Sequence, residues 1–374
     1  MIEQETVLIL GAGASADYGF PLGKKLIEEI YIFIKKDNTD RIKKALALLL
    51  WINDNPKGIS VSLEKIKPYL EKVNIFIEAL ELASVSSIDD FLHHRKELAL
   101  IGKLVITFII SDYEKPHVFK PKYPSEKFEF PDGWYSYLWQ SLYSNPFGDA
   151  NLENLAKNKL KIITFNYDRS LEHFLFHATK SLFNESDDKT VDFINKISID
   201  HVYGKLGALD WQKETEYPIN NYGDVSITGD AGPLGVITQL NRLNEISHVS
   251  MPERQIAKLK RILSIAKSIN TYTEIISSEK TNSYKKTIMA ADRVYFLGFG
   301  YHQQNLNALG LNDSKIISKK NKYGTTFSLG RKEAIDIYNK LQINYPVYSD
   351  GKPPDYSWLN SLKIEKYFRE VLQL

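Results

Sequence analysis

A buried strand that runs directly into a glycine turn opens this chain. Val7 to Leu10 is an uninterrupted apolar run, followed at once by Gly11-Ala12-Gly13-Ala14-Ser15. Glycine lets the backbone turn tightly and approach a ligand closely, and the amides at the start of a following helix attract an anion. The pattern therefore predicts a strand, turn and helix that hold the phosphates of a nucleotide. A tight turn with a purely structural purpose is the alternative.

The usual companion of such a turn in dehydrogenases is an acidic residue about 20 positions further along, at the end of a second strand. Here the residues after Pro21 have helical spacing instead, with Leu22, Leu26, Ile30 and Ile34 on one face. The sequence therefore disfavours an ordinary hydride-transfer enzyme.

Composition narrows the class of protein. The 374 residues are 43% hydrophobic and carry a net charge of +2, which is typical of a globular protein without an extended nucleic-acid surface. The local cations Arg254, Lys258, Lys260 and Arg261 are interpreted as a solvated helix face. No signal peptide is recognised, and the apolar stretch from Leu98 to Ile110 is too short to cross a bilayer, so we expect a cytoplasmic location.

The spacing of apolar runs predicts an α/β fold: a Rossmann-like, doubly wound, mostly parallel six-stranded sheet with a large helical insertion. The predicted strands are Val7–Leu10, Leu160–Phe165, Ile197–Tyr203, Leu234–Ile237, Arg293–Gly298 and Thr325–Leu329. In this division residues 1–24 and 155–345 form the nucleotide-binding core, residues 25–154 the insertion, and residues 346–374 a C-terminal helix or tail packed on the core. Ligands of such sheets bind at the carboxyl ends of the strands.

Three further motifs follow predicted strands. Asn166 and Asp168 come after the second strand, and either line a pocket or cap the next helix. His201 lies in the third strand, where a histidine is either structural or a group that exchanges a proton near neutral pH. Gly298 and Gly300, with Asn305 beyond them, either let the backbone approach a flat ligand or form a bulge.

Taken in order, these motifs resemble the NAD-binding core of the sirtuin (silent information regulator) family. The resemblance covers most of the chain and is closest to the bacterial sirtuin-like NAD hydrolases of anti-phage defence that act as stand-alone catalytic subunits. The residues that carry it are Gly11-Ala12-Gly13-Ala14-Ser15 with Gly19 and Pro21, then Thr164-Phe165-Asn166-Tyr167-Asp168, His201 with Gly204, and Gly298-Phe299-Gly300.

The resemblance implies a role for each motif. Gly11, Ala12, Gly13, Ala14 and Ser15 would hold the pyrophosphate of NAD, and Asn166 and Asp168 would face the nicotinamide ribose. Asn166 and His201 would be the catalytic residues, and Gly298, Gly300 and Asn305 would approach the adenosine half. NAD is then the substrate, and no metal is expected.

The chain departs from the protein-deacylating sirtuins in three places. Leu22-Gly23-Lys24 stand where those enzymes have Asp-Phe-Arg, and the absence of cysteine removes their four-cysteine zinc module. The family also places histidine directly before the glycine, where this chain has Tyr203. His201 lies two residues earlier on the same side of the strand, with Tyr203 and His302 as alternative bases.

The expected activity is therefore hydrolysis of the nicotinamide–ribose bond, giving nicotinamide and ADP-ribose. The family implies depletion of NAD during abortive infection, a homo-oligomer, and a partner such as a HerA-type ATPase or a short Argonaute, with no direct contact to nucleic acid or membrane. The alternative is a module that binds NAD or ADP-ribose without turnover. Deacylation of an acyl-lysine is the weaker alternative.

Overall fold

The computed structural model describes most of the chain. The described residues are 1–35, 40–115, 119, 133–144, 152–212, 216–230, 232–243, 247–271, 274, 277–311, 321–327, 329–344 and 362–370. The chain divides into two compact units. Met1–Phe20, His117–Tyr203 and Ile275–Leu374 form the first unit, and Pro21–Pro116 with Gly204–Glu274 form the second. The sequence-based division was different, because it assigned residues 117–154 to the insertion and 204–274 to the core.

A parallel sheet forms the centre of the first unit. Its strands are β1 (Thr6–Leu10), β2 (Leu160–Thr164), β3 (Ser198–His201), β4 (Arg293–Leu297) and β5 (Asn321–Gly324). They lie in the order β3-β2-β1-β4-β5, and every neighbouring pair is parallel. All of β1 is buried, as expected for the central strand of a sheet whose two faces are covered. The predicted Rossmann-like α/β class is confirmed.

The sheet has five strands among the described residues, whereas the sequence predicted six. Leu234–Ile237 is helical, as part of the helix Pro233–Arg242, so this predicted strand is wrong. A four-residue apolar run fits a strand or a buried helix equally well, and here Pro233 at the first helical position favours the helix. The last predicted strand, Thr325–Leu329, is also wrong, because β5 ends at Gly324 and is a largely polar edge strand.

The strand order reverses at β1. From β1 the chain moves outward through β2 to β3, and it then returns to the other side of β1 to form β4 and β5. Leu10 is paired with both Thr164 and Leu297, so the loops that follow β1, β2 and β4 begin at the same level. In open α/β sheets this switch point is where ligands bind.

Helices surround the sheet of the first unit. Those described are Trp134–Tyr143, Leu152–Leu155, Ser170–Phe183, Asp187–Ile194, Ser278–Ala290, Gln303–Ala308, Arg331–Leu341 and Ile364–Glu370, with a 3₁₀ helix over Ala12–Tyr18. The helix Ile364–Glu370 lies in the predicted tail and packs on Trp134–Tyr143, where Phe368 stacks on Tyr137 with ring centroids 5.3 Å apart. Residues 345–361 and 371–374 lie outside the described part of the chain.

The second unit is mainly helical. Its described helices are Gly23–Lys35, Arg41–Asp54, Leu63–Ala83, Ile88–His94, Ala99–Tyr113, Pro233–Arg242 and Glu253–Lys267, with a 3₁₀ turn over Lys96–Leu98. Ser60–Val61 and Val249–Ser250 form a short antiparallel pair. No described helix has both the length and the apolar character that a membrane span requires.

The loops after β1 and β4 interlock through glycine. The Gly11 amide donates to Leu297 O at 3.0 Å, and the Gly13 amide donates to Gly298 O at 2.9 Å. A Cβ atom added to Gly298 would lie 2.2 Å from the Ala14 nitrogen, and Gly298 has a φ of +56°. The two backbones are therefore so close that only glycine fits at this contact.

Gly298→Ala is expected to destabilise the first unit by about 2 kcal/mol or more, because it combines a left-handed backbone with a clash against another backbone. Gly19→Ala is the matched control, since Gly19 also has a positive φ (+89°) but an added Cβ would meet nothing within 4 Å. Urea unfolding of the two full-length variants measures the difference. Equal losses in the free energy of unfolding would show that the Gly298 variant suffers only from its left-handed backbone and not from the clash.

Candidate functional site

The glycine turn after β1 leads directly into a short helix. Ala12–Tyr18 is a 3₁₀ helix that ends at the left-handed Gly19. The Ala14 amide donates to Gly11 O at 2.9 Å, so it has a partner within the protein, as do the Gly11 and Gly13 amides. Ala12 is exposed and Gly13 half-buried. Glycine here serves the contact with Gly298, while the exposed edge of the loop is the part open to a ligand.

A buried polar network joins this turn to the loop after β2. Ser15 Oγ donates to Asp168 Oδ2 at 2.8 Å, and Asn166 Nδ2 donates to Ser15 Oγ at 2.9 Å. On the other side of Asp168, the backbone amide and hydroxyl of Ser170 both donate to Oδ1. Because the Ser170 hydroxyl hydrogen is used in this way, the Tyr135 hydroxyl, 2.8 Å away, donates to Ser170 Oγ. The donations through Ser15 and through Ser170 therefore both end at the Asp168 carboxylate.

Asn166 is fixed at three of its four polar groups. Its amide nitrogen donates to Thr164 Oγ1 at 3.1 Å, its backbone oxygen lies 2.8 Å from His201 Nδ1, and its side-chain nitrogen donates to Ser15. Its side-chain oxygen Oδ1 is buried and has no hydrogen-bond partner among the described residues. An unpaired buried acceptor costs about 1–3 kcal/mol, so such a group is a candidate contact for a ligand or water that donates a hydrogen bond.

His201 lies at the end of β3 and is 4% exposed. Its Nδ1 faces the backbone oxygen of Asn166, and its Nε2 lies 2.9 Å from Glu172 Oε1. Both ring nitrogens are thus engaged by protein atoms in this arrangement. His201 contacts the backbone oxygen of Asn166, and neither of its ring nitrogens is positioned to take a proton from a ligand.

Aromatic residues that the sequence analysis placed in the insertion support the glycine turn. Trp134 Nε1 donates to Ala14 O at 2.8 Å, and the Tyr135 amide donates to the Tyr18 hydroxyl at 2.8 Å. The rings of Tyr18 and Tyr135 are stacked, with centroids 3.9 Å apart. Burial raises the pKa of the Tyr135 and Tyr18 hydroxyls well above the usual tyrosine range, so both are neutral hydrogen-bonding groups. The density of aromatic residues around Trp134 was visible in the sequence, but nothing there indicated what they contact.

The other predicted site residues follow β4. The Gly298 amide donates to Thr325 Oγ1 at 2.8 Å, and the Tyr203 hydroxyl donates to Asn305 Oδ1 at 3.1 Å. Gly300 lies in a cleft of about 650 Å³, which is also lined by His302 and the helix Arg331–Leu341. The cleft therefore adjoins the loop that interlocks with the glycine turn.

Within the part of the chain that the structure describes, no group of three or more histidine, aspartate or glutamate side chains could hold a metal ion.

Comparison with known proteins does not identify a family. No protein-family model matches the chain, and no curated protein matches it. The resemblance to sirtuin-like NAD hydrolases rests on the motifs and stays a prediction.

Asp168→Asn is expected to destabilise the protein by about 1–3 kcal/mol, because an amide keeps one acceptor oxygen where the carboxylate uses two. Asp200→Asn is the control: this side chain is 45% exposed and pairs with Lys280 at 3.4 Å. A surface pair of this kind contributes about 0–1 kcal/mol. Thermal unfolding of both variants makes the comparison, and equal losses would contradict the central role of Asp168.

The buried tyrosines predict alkaline unfolding. Because the pKa of Tyr135 and Tyr18 is raised in the folded state, their contribution to stability is complete below the unfolded pKa of about 10 and is lost as the pH rises above it. We expect the unfolding temperature to fall above about pH 10, with part of the tyrosinate absorbance appearing only as the fold is lost. Full tyrosine ionisation in a protein that keeps its native circular dichroism would contradict this.

Proposed function

We propose that the chain binds NAD at the carboxyl edge of its parallel sheet and hydrolyses the bond between nicotinamide and ribose. The observation that carries the proposal is the unpaired, buried Oδ1 of Asn166 beside the glycine turn at the strand switch point. A rigid acceptor in that position suits a ribose hydroxyl, or a water held for attack on the ribose.

The chemistry needs few catalytic groups. The C1′–N bond breaks with its electron pair leaving on nicotinamide, which departs neutral, while positive charge develops on the ribose as in other glycosyl transfers. Water then bonds to C1′ and releases a proton to solvent. A carbonyl oxygen such as Asn166 Oδ1 can orient that water and stabilise the developing cation, since it is fixed before the reaction starts.

The network behind Asn166 supports this preorganisation. Asp168 accepts from Ser15, and Ser15 in turn accepts from the Asn166 amide, so the side chain cannot turn its nitrogen toward the ligand without breaking that contact. Ser15 and Asp168 therefore position Asn166 in this proposal, whereas the resemblance to the sirtuin family implies that they contact NAD directly.

The remaining parts of NAD are assigned by position. The pyrophosphate would lie along the exposed edge of the turn at Ala12, since the Gly11, Gly13 and Ala14 amides already have partners within the protein. The adenosine half would extend toward Asn305 and toward Gly300, which lines the 650 Å³ cleft.

A second candidate function is a module that binds NAD or ADP-ribose without cleaving it. One observation favours it: both ring nitrogens of His201 are engaged, so the residue predicted as the base is not free to act. A partner protein would then respond to whether NAD or ADP-ribose is bound, without any cleavage of the ligand. Protein deacylation has less support, because the chain contains no cysteine for a zinc module.

Asn166→Ala is expected to lower the rate of nicotinamide release from NAD by about 100-fold or more, the usual cost of removing a preorganised electrostatic group. The matched control is Asn195→Ala, at an exposed position in the same unit, which should retain the wild-type rate. The assay follows nicotinamide and ADP-ribose by chromatography.

The assay is run with the protein alone and with a HerA-type ATPase or a short Argonaute, because an unregulated NAD hydrolase would be toxic to its own cell. Depletion of cellular NAD in phage-infected cells would extend the proposal to a defence role.

NAD binding without nicotinamide release under every condition would favour the binding module over the hydrolase. An unaffected rate in folded Asn166→Ala would remove Asn166 from the mechanism.

A further inference from the structure

We propose that Glu172 is a positioning residue that acts through the His201 ring on Asn166. The inference rests on the proposed function for its effect on catalysis, but the contact itself is a property of the fold. Glu172 lies in the first turn of the helix Ser170–Phe183, only six positions after Asn166, and its side chain is 3% exposed.

The hydrogen-bond partners fix where the protons lie on His201. The backbone oxygen of Asn166 can only accept, so the 2.8 Å contact requires a hydrogen on Nδ1. The 2.9 Å contact between Nε2 and Glu172 Oε1 requires one more hydrogen, carried by either partner. The pair therefore holds a shared proton, as an imidazolium with a carboxylate or as a neutral imidazole with a carboxylic acid.

In both protonation states the contact with Glu172 keeps the imidazole ring in one orientation with Nδ1–H toward Asn166. Without Glu172, Nε2 loses this partner and the ring is free to rotate about its side-chain bonds. A rotated ring, or the tautomer without a hydrogen on Nδ1, would no longer donate to the Asn166 backbone oxygen.

Loss of that donor would release one of the contacts that hold Asn166. The Thr164 and Ser15 contacts constrain the backbone amide and the side-chain nitrogen, while His201 constrains the backbone oxygen between them. The backbone oxygen of His201 accepts from Lys280 Nζ at 3.1 Å, a contact that does not involve the ring. Glu172 is therefore the group that orients the ring.

Glu172→Ala is expected to lower kcat for NAD cleavage by about 100-fold with little change in KM, since a misplaced catalytic group slows the chemical step more than it weakens binding. Glu172→Gln should recover most of that loss, because its amide can donate to Nε2 and keep the ring in place. Glu279→Gln, at an exposed position in the same unit, is the matched control.

A double-mutant cycle tests whether Glu172 acts through His201. The rate of Glu172→Ala/His201→Ala should be no lower than that of His201→Ala alone, since the second change removes nothing further from Asn166. If the double variant were slower than His201→Ala by the same factor that Glu172→Ala alone loses, the inference would be overturned. A folded Glu172→Gln protein that is as slow as His201→Ala would also overturn the inference. This variant keeps the test decisive if Glu172→Ala does not fold.

Nuclear magnetic resonance of ¹⁵N-histidine-labelled full-length protein gives a readout independent of NAD cleavage. His201→Ala assigns the ring signals. We expect Nδ1 of His201 to carry a hydrogen in the wild type and in Glu172→Gln, and to lose that fixed state in Glu172→Ala. A wild-type ring without a hydrogen on Nδ1 would overturn the inference. A protonated Nδ1 in a protein that never cleaves NAD would instead refute only the proposed hydrolase.

Discussion

The candidate site depends on one buried carboxylate. Asp168 has only acceptors to offer, and burying its charge is costly unless hydrogen bonds surround it. The protein supplies them from two directions, through Ser15 on the turn after β1 and through Ser170 at the start of the next helix. Because both serine hydroxyls donate to Asp168, Asn166 must donate to Ser15 and Tyr135 must donate to Ser170. A single negative charge thereby sets the direction of hydrogen bonds across two loops and leaves Asn166 Oδ1 as the acceptor without a described partner.

Much of the fold could be predicted from the sequence because parallel strands buried on both faces leave a strong signal. β1, β2 and β4 are short apolar runs of that kind, and the glycine turn marks the end of β1. The signal fails where burial is partial. β5 is an edge strand with the sequence Asn-Lys-Tyr-Gly, while the apolar run at Leu234–Ile237 forms part of a helix.

The residues of the candidate site could be named from the sequence, but their contacts could not. The sequence pointed to Ser15, Asn166, Asp168 and His201, which hydrogen bonds do bring together. It could not assign their roles, since the partner of each is distant along the chain. The contact of Glu172 with His201 could not be predicted, because a glutamate in the first turn of a helix is common: its charge interacts favourably with the helix dipole. Two of the glycines proved to serve a backbone contact as much as any approach of a ligand.

The interlocked glycines also determine when the turn can take its final form during synthesis. Gly11 and Gly13 leave the ribosome well before Trp134 and Gly298, which hold their loop. At about 5–20 residues per second, Gly298 emerges roughly 15 to 60 s after Gly11. The nascent chain therefore carries an unfinished turn until Gly298 has been made. A chain released before residue 298 lacks the backbone contact that shapes the turn.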